Sequence, residues 1–117
     1  MANYYKCSDG TKVTQTTIDR KRSQTYRELY EGEPHPMCAG CGIPAQGTAH
    51  LVPQKVCKSI GRAEYCWLPI NMVPACHRCN GLLESYKSEE IKNLYCYERL
   101  LEVTEMIDPT RFKLMTE

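Results

Sequence analysis

Ile18, Tyr26, Leu29 and Tyr30 share roughly one face at helical spacing and predict a helix over residues 16–31, with Thr16 or Thr17 as its cap. Gly32, Pro34 and Pro36 close it. The period then changes. In Thr48-Ala49-His50-Leu51-Val52, alternation puts Thr48, His50 and Val52 on one side and Ala49 and Leu51 on the other, which predicts a short strand ended by Pro53. Residues 54–63 read as a basic connection containing Gly61. A second strand fits Tyr65–Leu68, with Pro69 ending it and Asn71 in the turn that follows. A helix is expected over 77–87. Ile91, Leu94, Tyr95, Leu101 and Met106 then repeat at helical spacing and predict a last helix over 88–106, with Ser88 as its cap and Pro109 beyond its end. That stripe reads as core packing. Residues 1–15 read as irregular or strand-like, turning at Asp9-Gly10. The mixture gives an α+β class.

With 117 residues, the chain has the length of one small domain. Its hydrophobic fraction is 42%, yet it holds one Phe and one Trp, and eight Tyr carry most of the aromatic area. Such a core is marginal alone, so a metal clip that adds folding energy fits the composition. A net charge of +1 does not announce a polyanionic partner. Basic residues cluster locally instead, in Arg20-Lys21-Arg22 and in Lys55, Lys58, Arg62 and Arg78, while Glu84, Glu89, Glu90, Glu98, Glu102 and Glu105 make the later part acidic. No stretch is long and apolar enough to span a bilayer, and Met1-Ala2-Asn3-Tyr4-Tyr5-Lys6 has no apolar leader, so a cytoplasmic location is expected.

The chemistry is concentrated in two Cys-x-x-Cys pairs, Cys38-Ala39-Gly40-Cys41 and Cys76-His77-Arg78-Cys79. Each turn of this kind presents two sulfurs about 3.5–4 Å apart, and two such turns complete a tetrahedral shell. Cys38, Cys41, Cys76 and Cys79 are therefore expected to hold structural Zn²⁺. Two disulfides are disfavoured in a reducing compartment, and Gly-Ile-Pro after Cys41 does not offer the strand–helix setting of a redox dithiol. His77 lies inside the second turn, but the four thiols fill the shell. His35 reads as a surface-loop residue. Cys7, Cys57, Cys66 and Cys96 are scattered and read as small buried residues.

Taken together, Cys38-x-x-Cys41, Thr48-Ala49-His50-Leu51-Val52-Pro53, Pro69-Ile70-Asn71-Met72-Val73 and Cys76-His77-Arg78-Cys79-Asn80 resemble the HNH, or His-Me finger, endonuclease superfamily. The resemblance runs from Cys38 to about Glu84. Lys58–Trp67, Cys7-Ser8-Asp9-Gly10-Thr11 and Ile18-Asp19-Arg20 look similar to small phage-type members, which implies a phage or mobile-element origin and a host-cell cytoplasmic setting. The resemblance implies a zinc-stabilised ββα-metal domain with flanking helices. It divides the single domain into an N-terminal segment and helix over 1–37, a zinc-clipped core over 38–87, and a C-terminal helix and tail over 88–117. His50 would be the general base that deprotonates water for attack on a DNA phosphodiester, as an imidazole can near neutral pH. Asn71 would brace the connection and orient His50. Asn80 would bind a catalytic Mg²⁺ or Mn²⁺.

One position departs from the pattern. Most members carry Asp or His immediately before the base, as a metal ligand; here Ala49 stands there. Either Glu84, four residues beyond Asn80 and on the same helix face, completes an Asn–Glu ligand pair, or the site is weakened or inactive. Lys55, Lys58, Arg62 and Arg78 would contact DNA phosphates, or are ordinary solvated residues. Arg20-Lys21-Arg22 reads first as a solvated helix face. The competing function is a non-catalytic zinc module that binds DNA or a host protein. Monomer and homodimer both remain open.

Overall fold

The computed structural model describes residues 3–32, 36–84 and 89–117. His35, the Ser88 cap and the 87/88 boundary lie outside the described residues. Two short strands, β1 (Tyr5–Lys6) and β2 (Lys12–Val13), pair antiparallel. Between them the chain turns at Gly10, where φ is +90° and where Asp9 Oδ1 accepts the Thr11 amide. Helix α1 (Gln15–Tyr30) follows, capped by Thr14 rather than by Thr16 or Thr17: the Thr14 hydroxyl oxygen accepts the Thr17 amide at 3.3 Å. Ile18 and Thr25 are its buried residues. The Thr25 hydroxyl donates to the Trp67 carbonyl at 2.6 Å, and the Lys21 ammonium sits 5.0 Å over the Trp67 ring. These contacts fix which side of α1 faces inward and leave Tyr26 and Leu29 exposed. The predicted apolar stripe of this helix is therefore buried only at its first member.

The second sheet carries the functional region. β3 (Gly47–His50) pairs antiparallel with β4 (Met72–Ala75), with Gly47 opposite Ala75 and His50 opposite Met72. The second strand was expected at Tyr65–Leu68; a 3-10 turn over Ala63–Cys66 occupies that stretch instead. Pro74 disguised the true strand. Proline is tolerated in a two-stranded ribbon because each strand has a free edge, and here the Pro74 carbonyl accepts the Ala39 amide at 2.9 Å. The basic connection is also more ordered than expected, since it holds α2 (Gln54–Ser59). After β4, α3 (His77–Leu83) packs back on the β3–β4 pair. It is shorter than the expected 77–87 and ends at a Glu84 cap.

The C-terminal region is not one helix over 88–106. A 3-10 turn over Glu89–Asn93 leads to α4 (Tyr97–Ile107) and then α5 (Pro109–Thr116). The Tyr95 amide donates to the Gly40 carbonyl at 2.9 Å, which ties the break to the first Cys turn. The break resets the helical register. Leu100, Val103, Thr104 and Ile107 face inward, whereas Tyr95 is 77% exposed and Met106 is 42% exposed. Pro109 opens α5, where its missing N–H costs nothing. Ile18, Leu51, Val52, Val73 and Ile107 pack into a core that draws on both ends of the chain. No helix among the described residues is long and apolar enough to cross a membrane.

Candidate metal centre and adjoining cavity

The four knuckle thiols converge, with all their sulfurs within 4.8 Å of one another. The Cys41 and Cys76 sulfurs are 3.7 Å apart, close to the ~3.8 Å edge of a tetrahedron with metal–sulfur bonds of ~2.3 Å. Local backbone geometry builds this cluster. The Gly42 amide donates to the Cys38 carbonyl at 2.9 Å, with Gly42 at φ +81°. A Cβ on Gly40 would lie 2.7 Å from the Cys79 sulfur, so only glycine permits the approach. The Cys76 sulfur caps α3 by accepting the Cys79 amide. Burial pushes the Cys38 thiol up, but amides including those of Cys76, Gly40 and Cys41 outweigh it and bring the group down to about 6. Burial raises the Cys79 thiol, and its bonds to the Cys76, Cys38 and Cys41 sulfurs raise it further. Four crowded sulfurs sharing protons in this way are a ready site for a cation that replaces those protons. The donor set fits a structural metal ion. His77 is exposed, and its backbone amide donates to Gln46 Oε1 at 3.0 Å.

The other four cysteines are all buried, as expected. Two of them are not scattered in space. The neighbouring Cys66 thiol, with burial adding to the effect, holds the Cys57 thiol well above its usual range, while the Cys57 and Cys66 sulfurs donate to the Val52 and Gln54 carbonyls at 3.6 and 3.7 Å. Their separation in sequence gave no sign of this contact.

Beside the metal centre lies a cavity of about 760 Å³ whose walls include His50, Asn80, Glu84, Lys55, Arg22 and Thr48. The structure thus brings His50, Asn80 and Glu84 to one place. His50 Nε2 donates to the Cys66 carbonyl at 2.7 Å. A carbonyl only accepts, so Nε2 carries the proton and the neutral ring keeps its lone pair on Nδ1. Burial pushes the His50 pKa below its usual value, and the nearby Arg22 charge adds to this against the opposing effect of the Cys66 carbonyl. Neutral imidazole is therefore the resting form at pH 7. Asn71 is fully buried and works on the same connection. Its Oδ1 accepts the Val52 amide at 2.8 Å, and its Nδ2 donates to the Val52 and Tyr65 carbonyls, each at 2.9 Å. The Tyr65 carbonyl is one residue from the group that holds His50. Ala49 points away, buried in the core, so position 49 contributes no side chain to the cavity.

The basic residues divide. Lys55 lines the cavity and is exposed. Lys58, Arg62 and Arg78 do not line it. Lys58 Nζ donates to Gln15 Oε1 at 2.9 Å and lies 4.8 Å over the Tyr5 ring. Arg62 donates to the Met106 and Ile107 carbonyls at 2.8 and 2.6 Å, closing the C-terminal end of α4. Arg78 pairs with Glu90 at 3.7 Å on the outer surface. Of the four residues expected to contact DNA phosphates, Lys58, Arg62 and Arg78 thus stand away from this cavity and only Lys55 lines it. Arg22 and Thr48 do line it. Thr48 could have been found from its alternation with His50; Arg22 had only its place in a basic run. Comparison with family models, with curated proteins and with solved structures finds no match.

Proposed function

We propose that this chain is a metal-dependent endonuclease of the HNH type that hydrolyses DNA phosphodiester bonds. One observation carries the reading: His50 is fixed through Nε2 by a backbone carbonyl and lines the same cavity as Asn80 and Glu84. Residues of β3 and α3 line that cavity, β4 pairs with β3 and leads into α3 in the strand–strand–helix order of a ββα-metal domain, and the four thiols are a donor set that Zn²⁺ would fit. Nδ1 of His50 takes a proton from water as the water oxygen bonds to phosphorus. The bond from phosphorus to the 3′ oxygen breaks, the departing oxygen takes a proton from solvent water, and 5′-phosphate and 3′-hydroxyl ends are left. Asn80 and Glu84 would hold a Mg²⁺ or Mn²⁺ through side-chain oxygens, and the ion would supply Lewis-acid stabilisation of the developing negative charge. Asn71 keeps the Cys66 carbonyl in place for His50.

The test is incubation of supercoiled plasmid with the purified protein and Mg²⁺ or Mn²⁺, beside His50→Ala. Nicking by the parent that disappears in the variant is expected. No cleavage by either protein, with metal still bound at the thiols, would replace this reading by a non-catalytic module that binds DNA or a protein.

A further inference from the structure

Two polar atoms of residues that line the His50 cavity have no hydrogen-bond partner among the described residues. Arg22 Nε and Thr48 Oγ1 are both buried, and no hydrogen-bonding group of the described chain reaches either. Both residues line the His50 cavity and also the shallower one beside it, against α1 and β4. A buried donor left unpaired costs roughly 1–3 kcal/mol, and native structures carry few of them. Two at one wall is therefore an arrangement to be explained. The guanidinium is only loosely compensated among the described residues: its ion pair with Asp19 is 3.8 Å long and both side chains are substantially exposed. Its charge reaches His50. Thr48 stands two residues before His50 on the same side of β3, so both residues belong to one wall of the cavity, with the Thr48 hydroxyl itself covered.

We propose that Arg22 and Thr48 form a phosphate-binding subsite beside His50. Its ligand is a phosphodiester of a polynucleotide strand, an identity that rests on the nuclease reading above. An anionic phosphate has non-bridging oxygens that accept several hydrogen bonds at once. The Arg fork, always charged, presents Nε and Nη donors to two of them, and a threonine hydroxyl adds a third donor. The exposed Nη edge meets the phosphate first, and a small turn of the side chain brings Nε to it. Lys55 at the rim adds attraction without fixed geometry. The subsite places α1 in the work of the cavity, binding the strand while His50 acts on it.

The test follows the Arg22 Nε–H signal by NMR in the full chain, assigned through its loss in Arg22→Lys. Inorganic phosphate and a short oligothymidylate are titrated separately, and plasmid nicking is assayed in parallel. A saturable shift with the oligonucleotide is expected. Thr48→Val should bind it roughly five-fold more weakly, the loss of about one hydrogen bond. Arg22→Gln should lower the slope of log affinity against log salt by about 0.7, one phosphate contact on a single strand. An unmoved Nε–H overturns the subsite, and nicking that persists then leaves the nuclease reading standing. A shift with no nicking under any metal supports the subsite and removes the nuclease reading. A shift with inorganic phosphate but none with the oligonucleotide overturns the polynucleotide assignment.

Discussion

His50 shows how much one hydrogen bond decides. With Nε2 committed to the Cys66 carbonyl, the ring has a single orientation and a single basic nitrogen. Its pKa lies below 6.5 because burial, and then the Arg22 charge, disfavour the imidazolium. Two consequences share one sign. The unfolded chain binds the proton more readily than the folded one, so the stability His50 contributes is complete above pH 6.5 and is lost as pH falls through its folded value. As the proposed base, His50 has to be neutral, so on that reading nicking should also fade on the acid side at a pH below 6.5. A pH–rate profile checks this, and an acid limb above 6.5 would contradict it. Arg22→Gln should move that limb upward in pH, because it removes a cation that opposes protonation. The residue type and its neighbours were legible in the sequence; the carbonyl and the arginine that tune it belong to elements distant in the chain.

At the scale of elements, the connection between β3 and β4 is the part that sequence reading described least well. Its helix α2 and its 3-10 turns hold together around Asn71, whose side chain replaces the ladder a tight hairpin would have had. Asn71→Ala leaves the Val52 amide and the Val52 and Tyr65 carbonyls without that partner. We expect a loss of about 2–4 kcal/mol, since buried backbone groups left unpaired are costly. Urea unfolding should show a lower midpoint, and a change under ~0.5 kcal/mol would mean that the amide is not a brace. The C-terminal helices teach a related lesson. Ile91 and Leu94 matched the expected periodicity, but the tie from Tyr95 to Gly40 breaks the helix. Beyond that break, Leu100, Val103 and Ile107 take the core positions.

For the whole molecule, the four-thiol cluster is the joint on which the parts meet. The first Cys turn hydrogen-bonds to β4 through Ala39 and to the C-terminal region through Gly40, while the second turn starts α3. A bound ion would therefore fix the strand pair, the helix beside the cavity and the C-terminal helices together. Stripping metal with a chelator should lower the melting temperature by about 10 °C or more, given the large binding energies of structural zinc sites. Metal analysis should find one ion per chain. Gly40→Ala should lose it, because the added methyl would overlap the Cys79 sulfur, while Cys96→Ser, outside the cluster, should keep it. Retention of metal by Gly40→Ala would show that the knuckle yields more readily than this geometry allows.

The sequence by itself picked out the four-cysteine cluster, the Thr48–His50 part of a strand expected to run on to Val52, and the start of α3. Each of these was read from spacings of four residues or fewer, where backbone geometry sets which side chains meet, although the meeting of the two Cys turns, with Cys41 lying 35 residues from Cys76, is itself a tertiary contact. The position of β4, the register of α4, the Cys57–Cys66 contact and the arrival of Arg22 beside His50 were decided by the tertiary structure. They depend on contacts between segments far apart in the chain, such as Thr25 with Trp67 and Tyr95 with Gly40. Local propensity does not encode such pairings, because their energy exists only once the core has closed.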